Sequence, residues 1–419
     1  MVSGESFSRI EGELACEEVP LKHIAERYGT PCYVYSAAAI TQRFQRYKEA
    51  LAGLSHRICY SVKANSNLSI LKLLAAEGAG FDIVSGGELY RVMAAGGDPA
   101  SVVFSGVGKT EDEIRFALER SIHSFNCESV PELETISRLA SMMGKQASVA
   151  LRINPDVNAV THPYISTGLR EHKFGIDIKS APGVYDVASR LPGLRVEGVS
   201  CHIGSQIVDI GPLLEAADRA IELVRNLRSS GIDIRYLDLG GGLGVAYRSG
   251  EHSADPSSLV TSIKRKLDGL DLTLMLEPGR SIVAEAGVLL VRVLLVKTNG
   301  AKKFVIVDGA MNDLIRPALY QAYHEIEPVA IQREAEEAVD VVGPVCETGD
   351  FFARGREMQP VQAGDLLAIR TAGAYGFVLS SNYNSRPRPP ELLVSGKIVS
   401  VARARETYAD LIRGEGSCA

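Results

Sequence analysis

The chain contains no long hydrophobic run, no excess of positive charge and no paired cysteine motif, and each absence removes a class of function. The longest apolar run near the middle, Val288–Val296, is interrupted by Arg292 and is too short to span a bilayer. A net charge of −6 and a pI near 5.9 provide no electrostatic reason to bind nucleic acid or an anionic membrane. The seven cysteines (Cys16, Cys32, Cys59, Cys127, Cys201, Cys346, Cys418) are odd in number and scattered. Without a C-x-x-C pair they suggest neither a zinc cluster nor a disulfide framework, so no metal is expected. Met1–Leu14 carries charges and no apolar core, unlike a secretory leader. The expected location is the reducing cytoplasm.

What is present is a long, ordinary globular composition: 419 residues, 46% hydrophobic, 23% charged, with 40 Gly and 18 Pro. That length exceeds one ordinary core, so two domains are expected. Eight short apolar runs alternate with helical patterns: Ile58–Val62, Gly80–Val84, Ser101–Gly106, Ser124–Cys127, Ser148–Ile153, Val196–Ile203, Arg235–Leu239 and Leu272–Leu276. Apolar residues recur at three and four in stretches such as Asn67–Glu77, Gly87–Ala95, Glu111–Arg120, Pro131–Met143, Leu213–Ser230 and Ser257–Leu267. The pattern predicts an α/β fold with a TIM-like (β/α)8 barrel; a doubly wound open sheet shares the same periodicity.

In such a barrel the chemistry collects at the C-terminal ends of the strands. Polar residues stand at those ends: Lys63 after run one, Asp82 and Ser85 at run two, Ser105 at run three, Arg152 and Asn154 at run five, His202 at run six. Gly240-Gly241-Gly242 follows run seven and Glu277-Pro278-Gly279-Arg280 follows run eight, where phosphate sites are favoured. A lysine partly desolvated at such a position loses proton affinity and can form a Schiff base with an aldehyde.

After residue 284 the texture becomes β-rich. Gly287–Val296, Lys303–Val307, Val339–Val342, Leu366–Ile369 and Glu391–Val399 are Val-, Ile- and Leu-rich runs separated by Gly and Pro. The N-terminal segment is expected to join them through a short helix near Leu21–Tyr28 and a strand at Pro31–Tyr35. Ser36 then caps a long helix, Ala37–Leu54. The division reads as 36–284 for the barrel, with 1–35 and 285–419 forming a β-barrel or sandwich. Ser380–Pro390, with Arg386 and Arg388, reads as an exposed loop.

Taken in order, Tyr60–Asn65, Phe81–Leu89, Thr161-His162-Pro163-Tyr164, Cys201–Ser205, Gly240–Leu243, Glu277–Arg280, Asp308–Tyr320, Gly343–Asp350 and Gly373–Phe377 resemble the fold-type III pyridoxal-phosphate decarboxylases, whose fold is alanine-racemase-like. Ser61 departs from the alanine often found there. The resemblance implies pyridoxal 5'-phosphate held by Lys63 as a Schiff base, His202 stacked on the ring, and Glu277 keeping the pyridine nitrogen protonated. It also implies a phosphate cradle of Ser205, Gly241, Gly242 and Gly279, with Tyr375 at the phosphate. Glycine admits an anion close to the backbone because no Cβ intervenes.

The implied reaction is decarboxylation of meso-diaminopimelate to L-lysine. Arg280, Arg316 and Tyr320 match the family's carboxylate-binding positions, and Glu347 the acidic position for the distal amine. Arginine suits a carboxylate because its planar fork binds in bidentate fashion. Cys346 matches the proton donor to the carbanion. In that family Cys346, Glu347 and Tyr375 reach into the partner's site, which implies a homodimer. The other cysteines read as small buried hydrophobes; His23, His56, His123, His172, His252 and His324 carry no motif, whereas His162 sits in a matched segment without an assigned role. A decarboxylase of another basic amino acid or carboxylated polyamine precursor, or a non-catalytic homologue, remains an alternative.

Overall fold

The structure is a computed structural model that describes residues 7–157, 173–331 and 336–416. Its backbone separates into two units, Arg43–Val245 with Ser253–Ser281, and Met1–Gln42 with Ala246–His252 and Ile282–Ala419.

The first unit is a closed parallel barrel. Its eight strands are His56–Ser61, Gly80–Ile83, Val102–Phe104, Ser124–Cys127, Ala147–Asn154, Leu194–Cys201, Tyr236–Asp238 and Thr273–Leu276. The eighth pairs with the first (Leu274↔His56), and the fifth pairs with both the fourth and the sixth. That closure excludes the open doubly wound sheet. A two-residue strand, Ile176–Asp177, adds to the outer end of the fifth. The strands are nearly all buried along their length, as parallel strands covered by helices must be, which is why they read as continuous apolar runs. Cys59, Val103, Ala150, Tyr236 and Met275 pack together in the interior, so the barrel has a filled core and not a pore.

The intervening helices begin where a polar side chain can satisfy the first free amides. Asn67 caps Leu68–Ala76 by accepting from the Ser69 amide, and Ser85 caps Gly86–Ala94 by accepting from Glu88. Thr110 and Glu113 form a reciprocal capping box on Glu111–Arg120. The long helix after Ser36 runs only to Ala50, and the Ser36 hydroxyl accepts from the Ala39 amide. The structure adds a helix at Ala181–Arg190.

The second unit is β-rich. Its spine is Gly287–Asn299, which pairs with Lys302–Val307, Leu366–Ile369 and the N-terminal strand Cys32–Ser36. Cys32–Ser36 also pairs in parallel with Glu391–Ser395. The run Glu391–Val399 is therefore not one strand. It folds into a hairpin, Glu391–Ser395 against Ile398–Arg403, because Gly396 takes a left-handed turn (φ +58°). Phe351–Met358 is a further strand, paired with Glu337–Val342. Within Ser380–Pro390 the two arginines are half-buried. Arg386 donates to Asn312 and to the Asp308 carbonyl, and Arg388 pairs with Glu406.

Among the described residues no helix is long and apolar enough to cross a membrane. Cys16, Cys32, Cys59, Cys127 and Cys201 are buried and free, whereas Cys346 is exposed. Cys418 and the segment Thr161-His162-Pro163-Tyr164 lie outside the described residues.

Candidate active site

The first barrel strand ends at Ser61, and a single 3-10 turn, Val62–Ala64, follows it and carries Lys63. Register places Ser61 opposite Asp82 on the second strand. The Lys63 ammonium is ion-paired with Asp82 Oδ2, and the Ser61 hydroxyl donates to that same oxygen at 2.6 Å. Asp82 is fully buried while the lysine side chain remains 35% exposed. A buried carboxylate is costly unless paired, so the contact holds the lysine at the barrel mouth. Asp82 Oδ1 has no hydrogen-bond partner.

A second acidic group lies in the same mouth. Glu277 follows the eighth strand and Asp238 closes the seventh; both are buried. Asp238 accepts from the Gly240 amide (2.9 Å), Asn126 Nδ2 (3.0 Å) and the Ser200 hydroxyl (3.3 Å). Asn126 Nδ2 also lies 3.4 Å from Glu277 Oε1. Burial pushes the pKa of both carboxyls up, and the neighbouring charges of Asp238 and Asp82 push Glu277 further. Asp238 keeps the better donors, so Glu277 is the carboxyl pushed further toward its neutral form. Glu88, capped onto the Val84 amide at 2.7 Å, is likewise raised by burial, to about 7.

His202 stands just past the sixth strand. The Gly241 amide donates to its Nδ1 at 3.3 Å, which leaves the proton on Nε2. Desolvation pushes its pKa well down, and the positive charges of Arg152 and Lys63 add to the effect, so the ring is neutral. Gly240 and Gly242 have positive φ (+64° and +112°), and a Cβ on Gly241 would meet the Glu277 carbonyl oxygen at 2.3 Å. The turn can therefore be built only from glycine. Arg280 donates to the Ser205 hydroxyl from Nη2 at 3.0 Å and from Nε at 3.3 Å.

Of the other residues at strand ends, Ser105 accepts from Asn126, and Arg152 pairs with buried Glu128 (3.0 Å) beneath the Phe174 ring. Asn154 shapes a turn by accepting from the Asp156 amide. Sequence reasoning overlooked Asn126, Asp238 and Glu88. The first two lie at the C-terminal ends of apolar runs, Asn126 next to last in the fourth strand and Asp238 last in the seventh, close to the positional signal that selected Lys63 and Glu277.

The remaining candidates belong to the β-rich unit. Arg316 opens the short helix Arg316–Tyr320 and is buried. Its Nη1 lies 3.0 Å from His324 Nε2, and its guanidinium lies over the Tyr247 ring at 4.7 Å. Tyr320 is half-buried at the end of that helix. Cys346 and Glu347 are exposed; the Cys346 amide donates to Asn384, and Tyr383 donates to Glu347 at 2.8 Å. Tyr375 is half-buried in the left-handed region (φ +52°), a conformation that costs a non-glycine residue about 1 kcal/mol or more and concentrates at functional sites.

The barrel mouth fits pyridoxal phosphate. It holds a lysine amine for the aldehyde, a buried carboxyl of the kind that faces a ring nitrogen, and a neutral imidazole. Two buried oxygens there, Asp82 Oδ1 and Asn126 Oδ1, lack partners in the protein. These groups can bind an aldehyde as a Schiff base and hold a proton at a heterocyclic nitrogen.

Comparison with known proteins agrees. Residues 37–284 match the family described as pyridoxal-dependent decarboxylase, pyridoxal binding domain. The diaminopimelate decarboxylase of Pseudomonas aeruginosa is 56% identical over 411 residues, covering 98% of this chain and 99% of the relative. That of Neisseria meningitidis serogroup A is 51% identical, covering 97% and 99%. Among solved structures, diaminopimelate decarboxylase from Helicobacter pylori complexed with L-lysine superposes with a TM-score of 0.90 at 45% identity, covering 94% of this chain and 98% of that one. The M. jannaschii enzyme in co-complex with L-lysine gives 0.94 at 41% identity, covering 99% and 98%.

Proposed function

The chain belongs to the pyridoxal-dependent decarboxylases, and from that premise we infer its reaction: it releases carbon dioxide from meso-diaminopimelate and leaves L-lysine, the last step of lysine biosynthesis. Pyridoxal phosphate is its cofactor. The observation that carries the reading is the barrel mouth, where a Lys63–Asp82 pair and the buried Glu277 carboxyl, linked through Asn126 to Asp238, share one polar cluster.

The cofactor supplies the electron sink for the pair left on Cα when the carboxylate departs. The protein's part is positional and electrostatic. Lys63 would provide the amine, and its ion pair with Asp82 holds that amine at the barrel mouth. Glu277 would hold a proton at the ring nitrogen, and Asn126, which also donates to Asp238, helps to fix its carboxyl. His202, its pKa pushed down by burial, would lie against the ring face and keep water from it. Ser205, Gly241, Gly242, Gly279 and Tyr375 hold the phosphate. Residues 36–284 form the cofactor-binding unit in this reading.

Substrate choice rests on the far end of the molecule. Arg280, Arg316 and Tyr320 bind the second carboxylate, and Glu347 the second amine. Cys346 delivers the proton to Cα. Cys346 and Glu347 are exposed in the single chain, which supports a homodimer in which each subunit completes the other's site. Mixing Lys63→Ala with Cys346→Ala checks this: exchange of subunits should restore about a quarter of wild-type activity, since half of the dimers carry one intact site. No restoration would place Cys346 in its own subunit's site.

The direct test of the function is carbon dioxide release from meso-diaminopimelate, L-ornithine, L-arginine and L-lysine, with and without added pyridoxal phosphate. Cofactor-dependent release from diaminopimelate alone is expected. Release from ornithine or arginine would overturn the roles given to Arg280 and Arg316.

A further inference from the structure

Within the β-rich unit, the contacts of Arg316 define the state of a histidine that no part of the reaction has yet used. His324 is fully buried. It lies two residues before the strand Ile326–Pro328, whose antiparallel pairing with Leu366–Ile369 (Ile326↔Ile369) brings the Arg370 carbonyl beside the imidazole. His324 Nδ1 lies 2.8 Å from that carbonyl oxygen, which can only accept. Nδ1 therefore carries the hydrogen. On the opposite side of the ring, Nε2 lies 3.0 Å from Nη1 of Arg316, which can only donate. Nε2 is therefore bare, and His324 is a neutral imidazole in a single tautomer.

The surroundings hold that arrangement in place. The His324 carbonyl accepts from Arg356 at 2.9 Å. Tyr247 packs edge-on against the imidazole, with ring centres 5.3 Å apart, and presents its face to the Arg316 guanidinium. His324 and Tyr247 thus fix Arg316 through an acceptor nitrogen and a π face. Both contacts orient the guanidinium, and neither cancels its positive charge as a carboxylate in the same place would.

We propose that His324 is a positioning residue for substrate recognition: by accepting from Nη1 it aims Arg316, still fully charged, at the second carboxylate of the substrate. The proposal rests on the reading of Arg316 given above. An imidazole acceptor suits that task. A glutamate there would pair with the arginine and compete with the substrate's own carboxylate.

The test separates the two ring nitrogens and uses the complete enzyme with its cofactor. Glutamine can place an oxygen where Nε2 stands, whereas asparagine can place only a donor where Nδ1 stands. His324→Asn should raise KM for meso-diaminopimelate about tenfold or more, the scale of one hydrogen bond to a charged group, with kcat and cofactor absorbance within about twofold. His324→Gln should recover most of the loss. Inhibition by L-lysine, which keeps the recognised carboxylate, should weaken in His324→Asn, while inhibition by cadaverine, which lacks it, should not change.

If Arg316→Ala raises KM and weakens L-lysine inhibition but His324→Asn does neither, the proposal is overturned and the reading of Arg316 stands. If Arg316→Ala itself has no effect on either, the carboxylate is held elsewhere and both fall. Should the asparagine variant not fold, nitrogen-15 spectra of histidine-labelled wild-type enzyme decide the matter. A neutral, Nδ1-protonated His324 supports the proposal, and any other state overturns it.

Discussion

The two units hold their functional groups by different physics. In the barrel mouth charge is answered by charge against buried carboxylates: Lys63 by Asp82 and Arg152 by Glu128, while burial and mutual repulsion push the Glu277 and Asp238 carboxyls toward their neutral forms. In the β-rich unit the groups are either exposed on a turn, as Cys346 and Glu347 are, or oriented through neutral neighbours, as Arg316 is by His324 and Tyr247. The contrast teaches that damage in the barrel strikes stability and chemistry together. Damage in the β-rich unit should strike affinity, subunit cooperation or a single chemical step while leaving stability nearly intact.

The sharpest break comes from Lys63→Ala, which should abolish turnover and the visible absorbance of the bound cofactor; absorbance that persists would sink the assignment. This variant should also destabilise the cofactor-free chain, because Asp82 loses its cation while still buried.

Next in size is the buried acid Glu88. Its folded pKa, raised to about 7, means that the folded chain holds this proton more tightly than the unfolded chain does. Stability contributed by the proton is complete below the carboxyl's ordinary range and is lost as pH rises toward 7. Glu88→Gln should therefore raise Tm at pH 8, by up to about 3 kcal/mol in stability, and give no gain at pH 4. Equal effects at both pH values would mean that its ionisation costs nothing.

Arg316→Ala should leave Tm and cofactor absorbance nearly unchanged and raise KM for meso-diaminopimelate, by about 2 kcal/mol of lost binding. A large fall in Tm here would erase the contrast between the units. Ser61→Ala is the mildest case: the lost hydroxyl bond to Asp82 should cost about 1 kcal/mol of stability with turnover within several-fold, read by denaturant unfolding alongside steady-state rates.

The same contrast decides what could be read in the sequence. Barrel strands are buried on both faces, so Gly80–Ile83 or Thr273–Leu276 stands out as an apolar run, and the topology assigns meaning to the residue that follows. Asn126 and Asp238 were passed over because each is a short polar residue inside such a run, and only closure of the barrel brings them to Glu277. The β-rich unit offers no positional rule of this kind. Phe351–Met358 escaped notice because Gly355, at φ +56°, and its charged neighbours disguise the alternation. His324 carries no motif; it matters only because sheet register brings the Arg370 carbonyl to one side of it, while Arg316 stands on the other.

Gly241 bears on a different question, that of size. Its bare α-carbon lets the turn rest directly on the Glu277 carbonyl, and the Glu277 amide in turn donates to the Gly240 carbonyl at 2.7 Å. Two rigid peptide segments thus separate the turn proposed to grip the phosphate from the carboxyl proposed to meet the ring nitrogen. The barrel would in effect act as a fixed-length gauge between those two groups. A methyl group at position 241 would wedge the gauge open, and a cofactor of the right chemistry would then no longer reach both ends.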